Sequence, residues 1–464
     1  MKVLFAASEI FPHAKSGGLA DVADALPHAM KSLVTIMRVM PLYGFMDKKN
    51  LKLESSFEIE LSGINYNINL YLSKQENVST YFIEAPLLST TQNLYGDENG
   101  DYANNDLRFA IFCSSVVKLC VELDVDVVHL NDWHTALTAL YINDKKLKIK
   151  TVFTIHNLAY QGIFGFSSLS RIGIDKKYFN MDALEFYGDV NFLKAGIAYS
   201  DTVTTVSPTY AKEILTKEFG CGLDGFLKLH KDKLSGILNG INTKIFNPKT
   251  DEYLVANFDE KNIKDKYQNK VDFIKHSTLK DSRRPLFVMI TRLVEQKGIT
   301  LVLGSLKKLL KNKINLFILG EGDDEISSKL IQLSKKYDNF EFFKGYDEAL
   351  SHKTYASADF LLMPSMFEPC GLNQMIAMRY ATIPLVHSVG GLQDSVDEKS
   401  LACGSGIVFK KFTQKEFLDA VDRALKLKKD KKKFTEIKKA NMRCDFSFQK
   451  SALEYLRVYK KILS

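Results

Sequence analysis

One alternation repeats along this chain and restricts what it can fold into. A short apolar run is followed by a cluster of polar and glycine residues, then by a longer stretch with apolar residues at helical spacing. Two series are visible. The first places strands over 3–7, 34–40, 125–129, 151–155, 201–206 and 235–238; the second over 286–290, 314–319, 339–343, 359–363 and 383–387. Short apolar runs joined by helices make strands buried on both faces, which is the pattern of parallel, doubly wound sheets. One segment departs from it: Ile59, Leu61, Ile64, Tyr66, Ile68, Leu70 and Leu72 alternate around a hairpin turn expected at Ser62 and Gly63. Between the two series, 245–284 is polar. A chain of 464 residues is too long for one ordinary core. Two α/β domains are expected, 1–244 and 245–464, each with its own ligand-binding sheet edge.

The formal net charge is +8, and much of the excess lies over 426–439, read as a solvated helical face. That density is too diffuse for a nucleic-acid partner. No run approaches the ~18 apolar residues of a membrane span, and the opening run is a core strand, not a secretory signal. Six cysteines occur without a C-x-x-C pair or histidines at zinc spacing, so they read as reduced thiols in a cytoplasmic protein.

At 359–380 an apolar strand runs into a loop carrying Ser365, Glu368 and Gly371, then into a helix containing Met375 and Ile376. Amides at such a helix start attract anions, which makes the carboxylate of Glu368 an odd neighbour unless a substrate needs it. At the end of the first strand, Lys15, Gly17 and Gly18 combine a cation with a backbone open to close approach. Lys15, Asp132, His134, His156, Asn157 and Asn239 all fall at carboxyl ends of strands in the first series. Neither a Walker loop nor G-x-G-x-x-G is present, which disfavours a dehydrogenase.

An ordered set of motifs spans the chain: KSGGL (15–19), NDWH (131–134), FTIHNLAYQG (153–162), LEFYG (184–188), FLKAG (192–196), EFG (218–220), GLDG (222–225) and GILNG (236–240). In the second half come Arg292 with QKG (296–298), GYDE (345–348), FEPCGLNQ (367–374), GGL (390–392), and Asn441 and Met442 with DFS (445–447). Together they resemble the bacterial and plastid glycogen/starch synthases, glycosyltransferases of the GT-B fold. The resemblance implies two Rossmann-like domains facing each other across a cleft, closing on the donor, with the last helix packing back on the first domain.

It also implies an activity: transfer of glucose, with retention, from ADP-glucose to the non-reducing 4-hydroxyl of glycogen or another α-1,4-glucan. The catalytic set would be Glu368, Lys15, His134, Arg292 and Lys297. Donor contacts would come from Lys15, Gly17, Gly18, Asp132, Asn239, Arg292, Lys297, Tyr346 on the base, Cys370, Gly371, Leu372 and Asn373. Glu9, Asn157 and Tyr160 would bind acceptor. No metal or other cofactor is expected, because cations and amides meet the diphosphate; Asp124 and Asp126 have metal-motif spacing but read as surface. Some positions depart from the family pattern. Met366 stands where Arg is usual, Asn242 replaces Asp, Phe246 and Phe448 replace Trp, and the turn at 31–34 is shortened. Two rivals remain at this stage: a UDP-glucose transferase, and a glucan-binding protein without activity.

Overall fold

In the computed structural model, which describes residues 1–75 and 77–464, the chain forms two compact units. One is Met1–Asn239 together with Phe448–Ser464; the other is Gly240–Ser447. The division falls a few residues before 244/245, and the closing helix Phe448–Leu463 counts with the first unit.

A nine-stranded sheet builds the first unit. From edge to edge it runs Leu234–Gly236, Thr202–Thr205, Lys150–Ile155, Val127–Asn131, Lys2–Ala6, Thr35–Pro41, Val78–Glu84, Ile64–Gln75, Lys52–Leu61. Pairing is parallel as far as Val78–Glu84. The hairpin then adds two antiparallel strands, turning at Ser62 and Gly63 with φ of 54° and 75°, the positive values a tight hairpin turn needs. Val78–Glu84 is a strand the sequence reading did not anticipate. Val78, Thr80, Tyr81, Phe82 and Ile83 are strand formers, and the segment pairs on both sides.

The second unit carries a six-stranded, all-parallel sheet in the order Phe340–Lys344, Asn315–Gly322, Leu286–Leu293, Phe360–Met363, Ile383–His387, Ile407–Phe409. Among the parallel strands of each sheet the chain order reverses once, between Lys2–Ala6 and Val127–Asn131, and between Leu286–Leu293 and Phe360–Met363. At a reversal the two following loops leave in opposite directions and open a crevice at the carboxyl edge. Residues 7–18, Asp132, 294–298 and 364–372 therefore sit at these crevices.

Each sheet has its own core. Val3, Phe5, Ile36, Phe82 and Val127 pack with Leu26 and Met30 of the helix Gly18–Met30, and with Phe448, Ala452, Tyr455 and Tyr459 of the closing helix. At roughly 1.5–3 kcal/mol per large apolar side chain buried, that stripe anchors the last helix. It is fastened by Tyr459 Oη, 2.6 Å from His129 Nδ1, and by Ser451 Oγ donating to the Leu238 carbonyl at 2.6 Å. In the second unit Phe287, Leu316, Phe360, Leu385 and Phe417 centre the cluster. Among the described residues no helix is long and apolar enough to cross a membrane.

Two expectations are corrected. The lysine-rich face is not wholly solvated: Lys428 reaches the buried carboxylate of Asp359, which also takes Lys270 at 2.7 Å. Burial alone would raise the Asp359 pKa, but the two ammoniums outweigh it and hold the group well below the usual carboxylate range. Nor are all six cysteines thiols. Cys403 and Cys444 form a disulfide, because the turn before Ile407–Phe409 lies against the end of the helix Lys431–Met442. Cys113, Cys120, Cys221 and Cys370 form no disulfide.

Candidate active site

In the second unit, a cavity of about 180 Å³ opens at the reversal point, lined by Arg292, Lys297, Ser365, Glu368 and Asn373 among others. The strand Leu286–Leu293 runs longer than expected, so Arg292 projects from its last residues. Lys297 closes a short turn, and Gly298 follows in the left-handed region at φ 71°. Lys297 Nζ lies 2.8 and 2.6 Å from the two Glu368 oxygens. Ser365 Oγ donates to Glu368 Oε2 at 3.0 Å. The two loops are stitched together by Met366 N donating to the Gln296 carbonyl at 2.8 Å and Gln296 Nε2 to the Phe367 carbonyl at 3.2 Å. Behind them, the Gly391 amide donates to the Glu368 carbonyl at 3.0 Å. This leaves Glu368 only 6% exposed on a rigid loop, with a cation already on it.

Asn373 is tied to the Ile290 carbonyl at 2.8 Å and opens the helix Asn373–Arg379, with Leu372 as its N-cap. Gly371 has φ 71°, and Cys370 is buried just before it. Tyr346 is exposed, beyond Gly345 at φ 119°, and does not line the cavity. Met366 is partly exposed, so the missing Arg of the family pattern leaves no hole in the core.

At the reversal point of the first unit, Lys15 pairs with Asp21 at 2.8 Å. A Cβ on Gly17 would meet nothing within 4 Å, so the backbone there is open to close approach. Gly18 begins the helix Gly18–Met30. The Glu9 carboxylate accepts from the Ser16 amide, and from the Ser16 hydroxyl at 3.0 Å. Burial pushes its pKa up, with the Ser16 and Gly17 bonds pulling partly back. These bonds tie it to the 15–18 loop.

Asp132 has φ 56°, which is strained for a residue with a side chain. It accepts the His156 amide at 2.7 Å. Burial raises its pKa to about 7, against the pull of the His156 and Asn157 amides and with Glu9 adding a little. The two histidines differ. His134 is 6% exposed, with its ring 4.5 Å from Tyr95, 4.0 Å from Trp133 and 4.8 Å from Phe109, and Nδ1 is buried without a partner. His156 is half-buried where the strand Lys150–Ile155 ends. Its Nε2 lies 2.9 Å from Asn131 Oδ1, and Asn131 Nδ2 is fixed by the Ala6 carbonyl at 2.9 Å. Burial pushes the His156 pKa down to about 3, so the ring is neutral and Nδ1 keeps a lone pair.

The sequence reading grouped His156 with the sheet-edge residues but gave it no role. Its place directly after a strand was the available signal. Asn157 turns back to accept the Ala159 amide at 3.1 Å, Tyr160 is 53% exposed, and Asn239 is buried with Oδ1 unpartnered. Asp124 and Asp126 are exposed and hold Lys2, which matches their reading as surface.

The arrangement in the second unit suits a diphosphate leaving group beside a sugar that gains positive charge. Comparison with known proteins agrees. Residues 2–229 match the family described as starch synthase catalytic domain, and residues 270–441 match glycosyl transferases group 1. A glycogen synthase of Aquifex aeolicus is 42% identical, covering all of both chains. One from Thermodesulfovibrio yellowstonii is 38% identical over all of this chain and 98% of its own. Among solved structures, the catalytic domain of starch synthase IV from Arabidopsis thaliana, bound to ADP and acarbose, matches with a TM-score of 0.90 and 34% identity, over 100% of this chain and 99% of that one. The sucrose-phosphate synthase of Thermosynechococcus elongatus, at TM-score 0.65 and 14% identity over 99% of this chain and 98% of its own, shares the fold. With full-length relatives at this identity and an α/β unit carrying a Lys–Glu pocket, the chain belongs to the glycogen synthase family of GT-B glycosyltransferases.

Proposed function

We propose that this enzyme transfers glucose, with retention, from ADP-glucose to the non-reducing 4-hydroxyl of an α-1,4-glucan and releases ADP. The pocket formed by Arg292, Lys297 and Glu368 carries the reading. In the transfer, the bond from C1 to the phosphate oxygen breaks and its electrons pass to the diphosphate. The acceptor oxygen then bonds to C1 from the same face, within the ion pair, and its proton leaves on the departing phosphate oxygen.

Arg292 and Lys297 meet the charge that grows on the diphosphate. An ammonium has three N–H donors; Lys297 gives two to Glu368 and keeps one for a phosphate oxygen. Glu368 accepts from sugar hydroxyls, and its charge offsets the oxocarbenium-like C1. Asn373 and the backbone at 370–372 add polar contacts to the donor, and Tyr346 packs on the base. We also assign Lys15, Gly17, Gly18, Asp132 and Asn239 to donor contacts. We assign the sugar contact to His134, with the neutral His156 at the same sheet edge; Glu9, Asn157 and Tyr160 meet the acceptor. The cations take the place a metal would fill, so turnover is expected to survive a chelator. The Arabidopsis relative, bound to ADP and acarbose, supports ADP as the nucleotide. Nucleic acid and membrane have no part in this reading, and we assign the enzyme to the cytoplasm.

Incubation with ADP-glucose and glycogen, followed by ADP release, tests it. Glu368→Ala and Lys15→Ala should abolish transfer while glucan binding persists. Undiminished turnover in both variants overturns the site, and equal turnover of UDP-glucose overturns the donor.

A further inference from the structure

His387 ends the strand Ile383–His387, next to the strand that leads into the Glu368 loop. Its side chain is buried, with the ring flat against Phe409 at 5.1 Å and 26° and near Phe412 at 5.6 Å. Both ring nitrogens face carbonyl oxygens: Nδ1 lies 2.7 Å from that of Ser365, Nε2 3.3 Å from that of Lys410. A carbonyl can only accept, so the close contact requires the proton on Nδ1. The ring thus spans the carboxyl ends of three adjacent strands.

What it holds is the residue that holds Glu368. Ser365 accepts from His387 through its carbonyl and donates through its hydroxyl to Glu368 Oε2 at 3.0 Å, while Lys297 grips the same oxygen at 2.6 Å. The peptide following Ser365 is fixed by the Met366 amide on the Gln296 carbonyl. We infer that His387 is a positioning residue for the transfer: by pinning the Ser365 carbonyl it sets the hydroxyl that aims the Glu368 carboxylate. This rests on the proposed role of Glu368. The ring touches no substrate; it acts through Ser365. Small displacements of a reacting group are expensive, with about 1 Å of misplacement costing on the order of 100-fold in rate.

The test measures kcat and KM for ADP-glucose, with melting temperature, in His387→Leu, His387→Asn, Ser365→Ala and the double variant His387→Leu/Ser365→Ala. Asn places an N–H where Nδ1 was. His387→Leu should lose about 10- to 100-fold in kcat with KM nearly unchanged, and Asn should restore most of it. The double variant should be no slower than the worse single, since both break one chain. Wild-type kcat in His387→Leu, no recovery with Asn, or additive losses each overturn the inference. Should Leu at 387 prevent folding, unchanged kcat in Ser365→Ala does the same. Glu368→Gln, run alongside, separates the two layers: activity there sinks the site itself, whereas an inactive Glu368→Gln with a fully active His387→Leu sinks the role of His387 alone.

Discussion

Gly298→Ala tests how the donor pocket is held. At φ 71° an added side chain costs about 1–2 kcal/mol in backbone strain. The steric term is larger. A Cβ there would lie 1.9 Å from the Pro364 carbonyl oxygen and 2.7 Å from its carbon, whereas real Cβ atoms essentially never come within 3.0 Å. Backbone must retreat by at least about 1 Å, and overpacking of that kind costs about 1–3 kcal/mol. Together these predict about 2–5 kcal/mol of lost stability.

The retreating peptide opens the loop that carries Ser365 and Glu368, and Gly298 directly follows Lys297, so the Lys297–Glu368 pair is displaced from both sides. A fall in kcat of about 100-fold is expected. The assay is ADP release for kcat and KM, with thermal melting on the same preparations. Gly225→Ala is the control, since a Cβ there meets nothing within 4 Å and the site lies in the helix Asp224–Leu229. It should melt no lower than the parent, as Ala is the better helix former by about 1 kcal/mol. If Gly298→Ala matched the parent in both melting temperature and kcat, the two loops would not be locked as argued.

Asp132 binds its proton more tightly when folded than unfolded, so its contribution to stability falls as pH rises from about 4 toward about 7. Asp132→Asn should flatten that part of the melting-temperature profile; parallel profiles would refute the assignment. Asp359 has the opposite sign. Its carboxyl is depressed, so the stability it adds is complete above about pH 4–5 and is lost as pH falls below the unfolded value near 3.9. Asp359→Leu strands the buried ammonium of Lys270 and unpairs the partly exposed one of Lys428, and should cost about 3–5 kcal/mol by urea unfolding; a loss under ~1 kcal/mol would mean they find other partners. Thiol titration of denatured protein should find four cysteines before reduction and two more after it. Six from the start would exclude the Cys403–Cys444 bond.

Much of the fold was readable because its cues are local. An apolar run bounded by glycine and polar residues specifies a strand and its exit loop within about ten residues. Lys15, Asp132, Arg292 and Glu368 could therefore be assigned to sheet edges from sequence. Boundaries shifted where pairing extends a strand beyond its apolar run: Val127–Asn131 takes in Asn131, and Leu286–Leu293 takes in Arg292. Val78–Glu84 pairs parallel to one neighbour and antiparallel to the other and so joins the hairpin to the parallel sheet, a placement its own residues do not encode.

Side-chain assignments were harder. The contacts that hold Glu9 to Ser16 of its own loop, and His134 against Tyr95 and Trp133, are not announced by any local spacing. Partly exposed His156 stands at the same edge. By itself the sequence determined two parallel α/β units, the loops that carry chemistry and, through its ordered motifs, the family. Only the tertiary structure decided that Lys297 grips Glu368 from 71 residues away, that Lys270 reaches Asp359 across 89, and that His387 stands behind Ser365. Partners so far apart in the chain are chosen by strand order and register, which come from packing whole elements together, and no local spacing encodes that choice.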